Sequence, residues 1–401
     1  MIALLGGHLA DPALGWDGPA DIYLEPAGVA AVLPPGAPPP PGVWEARECA
    51  GYCVVPGLID TLCRVDLDPD PWREDPQQVA ATAAAAGYTA VLAFTGSADP
   101  HRIAALAHGN FPVRFHPVAA LTHGGHLADL GLLTQAGAVA FSDWPAALPH
   151  AGLVRQALEY AAGVGRPVIL HPELSELAQG GMAHESPLSF AMGLHGIPAA
   201  AEVGAVARDM AIAHAVTARP HFAALSCAAS LEHLGDATAG VTAHHLALTE
   251  TAITGYRTEA KLSPPLRGES DRQALLAAAR SGRLLLASGH APCPAEEKVC
   301  EYDYASPGGA ALETAPALAL EWLGPVGLAR AGAAGPAAAF RLAGGSLGAG
   351  RPADATVLDP GVEWCAADGP MAGRTLRGRA VLTVVGGRPV FSRSDECIKI
   401  R

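Results

Sequence analysis

The order of apolar and polar positions divides the chain into three parts. Up to residue 53, short apolar or alternating runs separated by turn residues predict β-strands. The first run, Ile2–Leu5, lacks the basic start of a signal peptide. From Val54 to Arg341, short apolar runs alternate with alanine-rich stretches typical of helices, and after Leu342 the pattern of short strands and tight turns returns.

The central part has the alternation of a parallel α/β architecture. Apolar runs of strand length recur at Cys53–Ile59, Ala90–Phe94, Gly137–Phe141, Pro167–Leu170, His221–Leu225 and Leu284–Ala287. Helices are predicted between them, as at Gln77–Ala86, Leu153–Ala162 and Ala200–Thr217. Buried strands alternating with helices over this length predict a (β/α)8 barrel at 54–341. The β-rich ends, 1–53 and 342–401, are each too small to fold alone, so we expect one composite β-sandwich.

Composition limits the classes of partner and location. The 401 residues include 26 basic and 39 acidic side chains, a formal charge of −13. An acidic chain without blocks of like charge argues against nucleic acid or an anionic membrane as partner. No apolar run approaches the roughly 20 residues of a membrane span, so we expect a soluble, cytoplasmic protein. The eight cysteines form no CxxC pair, which favours buried free thiols.

Several short motifs occur in the order known from one family of enzymes. They are Val55–Asp60, Gly137–Asp143, His171–Glu173, Thr242–Leu246, Pro264–Arg267, His290–Pro292 and Gly350–Asp354. On these motifs the chain resembles dihydroorotases and the wider cyclic amidohydrolases, from about residue 54 to 390. The resemblance implies a (β/α)8 barrel of the amidohydrolase type. It also implies hydrolysis of a cyclic amide by a zinc centre, which lowers the pKa of bound water from about 15.7 to roughly 7.

Most positions that the resemblance assigns to metal ligands carry other side chains. Leu62 and Arg64 stand where the family has a His-x-His after the first barrel strand. Leucine has no lone pair to offer, and the guanidinium stays protonated. Ala224 stands in place of a further histidine, and Gly289 in place of the aspartate that is both ligand and proton carrier. None of the four can bind zinc through its side chain.

Two remnants of the implied metal site are retained. His171 occupies a ligand position, and Asp143 stands where some members have a bridging ligand, although Trp144 replaces the acidic residue beside it. Two ligands fall short of the three that a catalytic zinc normally requires. We therefore expect no bound metal, no other cofactor and no catalytic residue.

The positions implied for substrate binding differ as well. Asp66 replaces an arginine that grips the substrate carboxylate, and it would repel an anionic substrate. Gly96-Ser97 replaces an Asn-Thr pair, Ser263 an asparagine and Cys293 a histidine. What remains is predicted to be a vestigial pocket formed by Arg64, Asp66, Asp143, His171, Ser263 and His290.

Some of these side chains have structural interpretations too. We expect Asp143 to pair with Arg64 in the space of the lost cation, and His171 to be a hydrogen-bonded pocket residue. His244 and His245 are interpreted as a structural turn pair. Strand alternation predicts that Cys63 faces away from the pocket.

Three functional hypotheses remain open. The leading one is a non-catalytic dihydroorotase homologue of pyrimidine biosynthesis. Resemblance to family members without zinc ligands implies that it is an oligomeric scaffold for the catalytic trimers of aspartate transcarbamoylase. The alternative is an active cyclic amidohydrolase with zinc on a rebuilt site, formed by His171, Asp143 and a thiolate. The third is a metabolite sensor in which Arg64 and His290 bind a carboxylate.

Overall fold

The computed structural model describes residues 1–67 and 74–393. Its strands are β1 (Ile2–Asp11), β2 (Trp16–Glu25), β3 (Gly28–Leu33), β4 (Glu45–Glu48), β5 (Cys53–Pro56), β6 (Leu58–Arg64), β7 (Tyr88–Phe94), β8 (Arg114–Ala119), β9 (Thr122–His123), β10 (His126–Leu127), β11 (Ala140–Phe141), β12 (Ile169–Leu170), β13 (Ala183–His184), β14 (Gly196–Ile197), β15 (His221–Phe222), β16 (Thr238–Thr242), β17 (Leu285–Ala287), β18 (Ala355–Cys365), β19 (Thr375–Val385) and β20 (Arg388–Ser392). The α-helices are α1 (Pro76–Ala86), α2 (Pro100–His108), α3 (Leu130–Gln135), α4 (Ala151–Gly163), α5 (Ser175–Ala178), α6 (Pro187–Ala191), α7 (Ala199–Ala215), α8 (Ser230–His233), α9 (Ala243–Ala247), α10 (Glu269–Arg280), α11 (Thr314–Ala329) and α12 (Gly335–Ala339).

Eight parallel strands close into a barrel. Strands β11, β8, β7 and β6 form one four-stranded sheet, and β12, β15, β16 and β17 form a second. Parallel bridges from Phe141 to Val168 and from Cys63 to His290 join the two sheets at both edges. Since the helices alternate with these strands in sequence, they cover the outside of the barrel. The predicted α/β barrel is confirmed, and α1, α4 and α7 lie where helices were predicted.

Both ends of the chain contribute to one separate sheet. Its strand order is β20-β19-β18-β5-β1-β2-β3, with β4 beside β1. The antiparallel pairing of β5 with β18, from Cys53↔Leu358 to Pro56↔Ala355, joins the N-terminal strands to the C-terminal ones. The two β-rich ends therefore pair with each other, as expected from their small size, while the exact boundaries at residues 53 and 342 stay predictions.

Gly57 separates two strands that the sequence pattern predicted as one. The run Cys53–Ile59 divides into β5 of the terminal sheet and β6 of the barrel. A Cβ atom on Gly57 would lie 2.2 Å from Thr89 Oγ1 and 2.9 Å from Asp354 Cβ, and the Gly57 amide donates to the Asp354 carbonyl at 2.8 Å. Only glycine allows the backbone to pass this close to both neighbours.

The inside of the barrel is filled by side chains. One buried apolar cluster, here called the barrel-interior cluster, includes Ile59, Leu62, Leu92, Phe94, Val118, Ala140, Trp144, Ile169, Ala224, Leu285 and Phe340. Such a cluster makes the barrel a packed core with sites only at its ends. Among the described residues, no helix is both long and apolar enough to cross a membrane.

Candidate active site

The positions singled out in the sequence meet at the C-terminal end of the barrel strands. Arg64 ends β6, Asp143 follows β11, His171 follows β12, Ala224 follows β15 and Gly289 follows β17. In barrels of this type, active sites lie at this end because the loops after the strands converge there. The fold therefore brings together the positions that the resemblance assigned to a metal centre.

Two of these positions are part of the packed core. Leu62 and Ala224 are each 1% exposed and both belong to the barrel-interior cluster. Trp144 belongs to the same cluster, and its ring meets that of Phe94 edge to face with centroids 5.5 Å apart. Apolar side chains thus pack at positions where the resemblance implies polar metal ligands. None of these three side chains offers a lone pair that could bind a metal ion.

Arg64 and Asp143 have separate partners. The Nε atom of Arg64 donates to Asp66 Oδ1 at 3.0 Å. The Asp143 carboxylate accepts from the Leu121 amide at 2.8 Å and from the amide and hydroxyl of Thr122 at 3.0 and 2.7 Å. The predicted ion pair between Asp143 and Arg64 is wrong, because the carboxylate instead fixes the start of the loop after β8.

Gly289 has a backbone conformation that suits glycine better than other residues. Gly289 has a φ of +69°, and a Cβ atom there would lie 2.9 Å from Thr242 Cγ2. Its amide donates to the Leu62 carbonyl at 3.0 Å. An aspartate at this position would need both a left-handed backbone and a shift of Thr242.

The ring of His171 is buried, and one of its two nitrogens has no hydrogen-bond partner in the described structure. It is 6% exposed, its Nδ1 has no partner, and its Nε2 lies 3.9 Å from Glu173 Oε2, beyond hydrogen-bond range. The contact with His171 lowers the pKa of Glu173, so Glu173 is the polar neighbour of the ring, and the expected hydrogen bond of His171 stays a prediction. Metal-binding histidines usually have the second ring nitrogen oriented by a close partner, and Nδ1 of His171 has none among the described residues.

Both ring nitrogens of His290 have hydrogen-bond partners. The Ala311 amide donates to its Nδ1 at 3.1 Å, so the ring proton is assigned to Nε2, which donates to Glu74 Oε2 at 2.7 Å. The side chain is 1% exposed. Both nitrogens are used in positioning the loop after β17, which leaves neither for a carboxylate ligand and removes the support for the predicted sensor role.

A cavity of about 240 Å³ remains at this end of the barrel, and Arg64, Trp144, Ser263, Gly289 and Cys293 contribute to its wall.

Cys63 is fully buried, in agreement with its predicted orientation away from the pocket, and burial raises the pKa of its thiol well above the usual range.

His244 and His245 also border the cavity, and both are buried. Burial lowers the pKa of His244 to about 3 and that of His245 to about 4. The Thr242 hydroxyl lies 2.7 Å from His245 Nδ1, and the Pro264 carbonyl accepts from Nε2 at 3.1 Å. The Nε2 atom of His244 lies 3.2 Å from the Thr314 hydroxyl. Both buried rings are thus held by neighbouring groups, which agrees with a structural role, but they lie in α9 and not in the predicted turn.

Comparison with known proteins assigns the family. A profile of the dihydro-orotase-like family matches residues 51–230. A dihydroorotase from Syntrophotalea carbinolica is 35% identical, with 98% of this chain and all of that protein aligned. The chain belongs to the dihydroorotase-like family. A dihydroorotase from Anaeromyxobacter sp. is 34% identical over 97% of this chain and 98% of its own length.

Solved structures agree on the fold of this dihydroorotase-like chain. An L-hydantoinase (dihydropyrimidinase) from Arthrobacter aurescens superposes with a TM-score of 0.84, at 19% identity, over 98% of this chain and 96% of its own. A D-hydantoinase gives a TM-score of 0.81 at 17% identity, over 98% and 95% of the two chains. At these identities the comparison concerns the barrel and terminal sheet alone, and it confirms the cyclic amidohydrolase fold.

The residues present do not fit a zinc centre of the kind implied for dihydroorotases. A catalytic zinc normally needs three protein ligands. Among residues 1–67 and 74–393, no three His, Cys, Asp or Glu side chains are grouped so that they could hold a metal ion. Leu62, Ala224 and Gly289 offer no donor atom, and Arg64 brings a positive charge.

Glu202 supports the loop that carries Ala224, a role that the sequence motifs did not reveal. Glu202 lies in α7 and is 2% exposed. Its carboxylate accepts from the amides of Ser226 and Cys227, each at 2.9 Å, from the Ser226 hydroxyl, and from the Ser230 hydroxyl at 2.7 Å. The signal available in the sequence was a single acidic residue on an otherwise apolar stretch of helix. In this dihydroorotase-like chain, Glu202 thus fixes the backbone that follows Ala224.

Replacing Glu202 by alanine is expected to destabilise the fold by about 3–5 kcal/mol, because four buried donor groups would lose their acceptor. Glu232→Ala on the exposed side of α8 is the matched control and is expected to change stability by less than about 0.5 kcal/mol. Urea unfolding followed by circular dichroism measures both. Equal stability of the two variants would contradict the supporting role of Glu202.

Proposed function

We propose that this member of the dihydroorotase family is non-catalytic. The observation that carries the proposal is the membership of Leu62 and Ala224, at two ligand positions, in the barrel-interior cluster. Arg64 brings a fixed positive charge to a third position, and Gly289 leaves the fourth without the carboxylate that would carry a proton.

The remaining polar groups at the cavity do not replace the missing chemistry. Hydrolysis of a cyclic amide at neutral pH needs an activated water and a group that exchanges protons near pH 7. His244 and His245 are neutral at pH 7 because their pKa values are lowered to about 3 and 4. Asp66 beside Arg64 neutralises the guanidinium that could otherwise attract an anionic substrate. These features support the loss of catalysis.

The proposed role is that of an assembly subunit in pyrimidine biosynthesis, with aspartate transcarbamoylase as partner. The partner is supported by the resemblance to family members that lack zinc ligands and hold the catalytic trimers of that enzyme. A protein retained for assembly needs its surface and fold but not its zinc site. The Glu202 contacts hold the backbone after Ala224 in place without any metal, which is what an assembly role requires of this part of the fold.

The second candidate is a cyclic amide hydrolase with a rearranged site. It is favoured by the relatives, which are named dihydroorotase at 33–35% identity over nearly the whole chain. His171 also keeps a buried Nδ1 without a partner, which is a possible ligand atom. The names of these relatives support the hydrolase candidate better than the assembly candidate. A direct measurement of activity therefore has to separate the two.

Turnover and co-elution together test both candidates. We expect no hydrolysis of dihydroorotate above the buffer rate, with or without added zinc, under conditions in which the Syntrophotalea carbinolica dihydroorotase is active. We also expect co-elution in gel filtration with aspartate transcarbamoylase from the same genome.

Zinc-dependent turnover that His171→Ala abolishes would reject the non-catalytic proposal and establish the second candidate. Absence of turnover together with separate elution of the two proteins would leave the chain non-catalytic and reject the partner. Glu232→Ala serves as the control variant, because its side chain lies on the surface away from the cavity.

A further inference from the structure

A second cavity lies at the opposite end of the barrel from the candidate active site. Its volume is about 670 Å³, within the range of small-molecule sites. Its wall includes His221, Thr238 and Leu285, the first residues of β15, β16 and β17, and these place it at the N-terminal end of the strands. Phe340, directly after α12, closes one side.

Positive charge dominates the wall of this cavity. Three arginines, Arg166, Arg219 and Arg341, contribute to it, against one carboxylate, that of Asp236. Arg219 Nε lies 3.0 Å from Asp236 Oδ2, whereas the side chains of Arg166 and Arg341 have no ion pair or hydrogen bond within the described part of the chain. These two guanidinium groups, one half-buried and one exposed, give the cavity a positively charged wall in a chain with a formal charge of −13.

The backbone is strained at two points on the same wall. Thr217 has a φ of +54° and Arg341 a φ of +52°, and they are two of the three non-glycine residues with positive φ in the described structure. A left-handed backbone is unfavourable for a β-branched residue such as threonine. Strain of this kind collects at ligand-binding sites more often than elsewhere.

An unpaired buried nitrogen also borders the cavity. His221 is 1% exposed, and its Nδ1 lies 2.8 Å from the Thr238 hydroxyl, whereas its Nε2 has no partner among the described residues. Burial lowers the pKa of His221 to about 3, so the ring is neutral at pH 7. Buried polar atoms in native proteins are nearly always satisfied, so the Nε2 atom of His221 is an exception within the described structure.

We propose that this cavity binds a small phosphorylated metabolite. Arg166 and Arg341 would hold the phosphate, since the planar guanidinium matches two phosphate oxygens at once. Apolar side chains such as Leu158, Pro167 and Pro220 line the rest of the wall and suit the carbon skeleton of the ligand. The site is separate from the C-terminal cavity and does not depend on whether the chain is catalytic.

Isothermal titration calorimetry on the full chain tests the proposal with ribose 5-phosphate, adenosine monophosphate and inorganic pyrophosphate as probes. Ribose and adenosine serve as unphosphorylated controls. We expect at least one phosphorylated probe to bind with a sub-millimolar Kd and its unphosphorylated counterpart to bind at least tenfold more weakly. The double variant Arg166→Ala/Arg341→Ala is expected to weaken binding at least tenfold.

The matched control is Arg374→Ala/Arg388→Ala, which removes the same charge from exposed positions near and on the terminal sheet. Binding that both double variants weaken equally would show general charge attraction and overturn the proposal. So would the absence of binding by every phosphorylated probe, or binding that Arg64→Ala abolishes, since the ligand would then occupy the C-terminal cavity. Because neither Arg166 nor Arg341 has a side-chain partner, the variants are expected to fold, and Arg166→Gln provides a milder second test.

Discussion

After exposure to excess zinc and desalting, the purified chain is expected to retain much less than one zinc ion per chain. In zinc-finger peptides, four protein ligands bind zinc with an apparent free energy of roughly 10–16 kcal/mol. Here His171 is the single side chain at the implied ligand positions that can bind zinc without losing other contacts, because the Asp143 oxygens already accept from Leu121 and Thr122. Elemental analysis by mass spectrometry gives the zinc-to-protein ratio directly.

The triple variant Leu62→His/Arg64→His/Ala224→His is expected to gain about one zinc ion per chain, because with His171 it supplies four imidazoles. Histidines at buried Leu62 and Ala224 disturb the barrel-interior cluster, so the metal-free variant should be less stable, by roughly 1–3 kcal/mol for each overpacked position. Added zinc should then raise its melting temperature, since the metal binds only the folded form.

The same triple variant carrying His171→Ala is the control and is expected to lose most of the gained zinc. One zinc ion retained by the unmodified chain, and lost in the single variant His171→Ala, would contradict the prediction and indicate a relocated site. Adding Gly289→Asp is expected to improve binding little, because an aspartate there meets a φ of +69° and the Thr242 methyl group at 2.9 Å.

Individual barrel strands could be predicted from the sequence when they are continuous apolar runs. Strands interrupted by polar residues, proline or glycine could not. Strand β7, read from Ala90–Phe94, is such a run. Strands β8 and β16 were not predicted, because Arg114, His116 and Pro117 interrupt the first and Gly240 the second. Their place in the barrel depends on pairing with neighbouring strands, which outweighs local preference.

The candidate site was predictable in its positions but not in its contacts. The resemblance to dihydroorotases implied which positions to consider, and these positions lie close together because the ends of parallel strands meet at one end of the barrel. The partner of Asp143 depends on the loop at Leu121 and Thr122, which no motif indicated. The left-handed backbone of Gly289 is likewise invisible in the sequence, because glycine adopts either sign of φ.

Stability is expected to fall steeply between pH 6.5 and pH 4. Three buried histidines and the half-buried His116 have lowered pKa values in the fold: about 3 for His221 and His244, and about 4 for His116 and His245, with desolvation as the main cause in each. In the unfolded chain their pKa is about 6.5. Below that pH the unfolded state binds more protons than the folded state, so acid favours unfolding.

The expected loss is large enough to unfold the protein. Each histidine contributes about 1.4 kcal/mol per pH unit below 6.5, which at pH 5 amounts to about 2 kcal/mol each and about 8 kcal/mol for the four. Typical domains have only about 5–15 kcal/mol of stability. The carboxyls of Asp60 and Asp209 act in the opposite direction, because burial raises their pKa values, but they are fewer than the histidines.

Urea unfolding by circular dichroism from pH 7.5 to pH 4.5 measures this dependence. The variant His244→Gln removes one buried imidazole and is expected to reduce the slope by about 1.4 kcal/mol per pH unit, the effect of one proton. His233→Gln, at an exposed position in α8, should leave the slope unchanged. A free energy of unfolding that stays constant over this range would show that these imidazoles are hydrated or protonated in the fold, contrary to their burial.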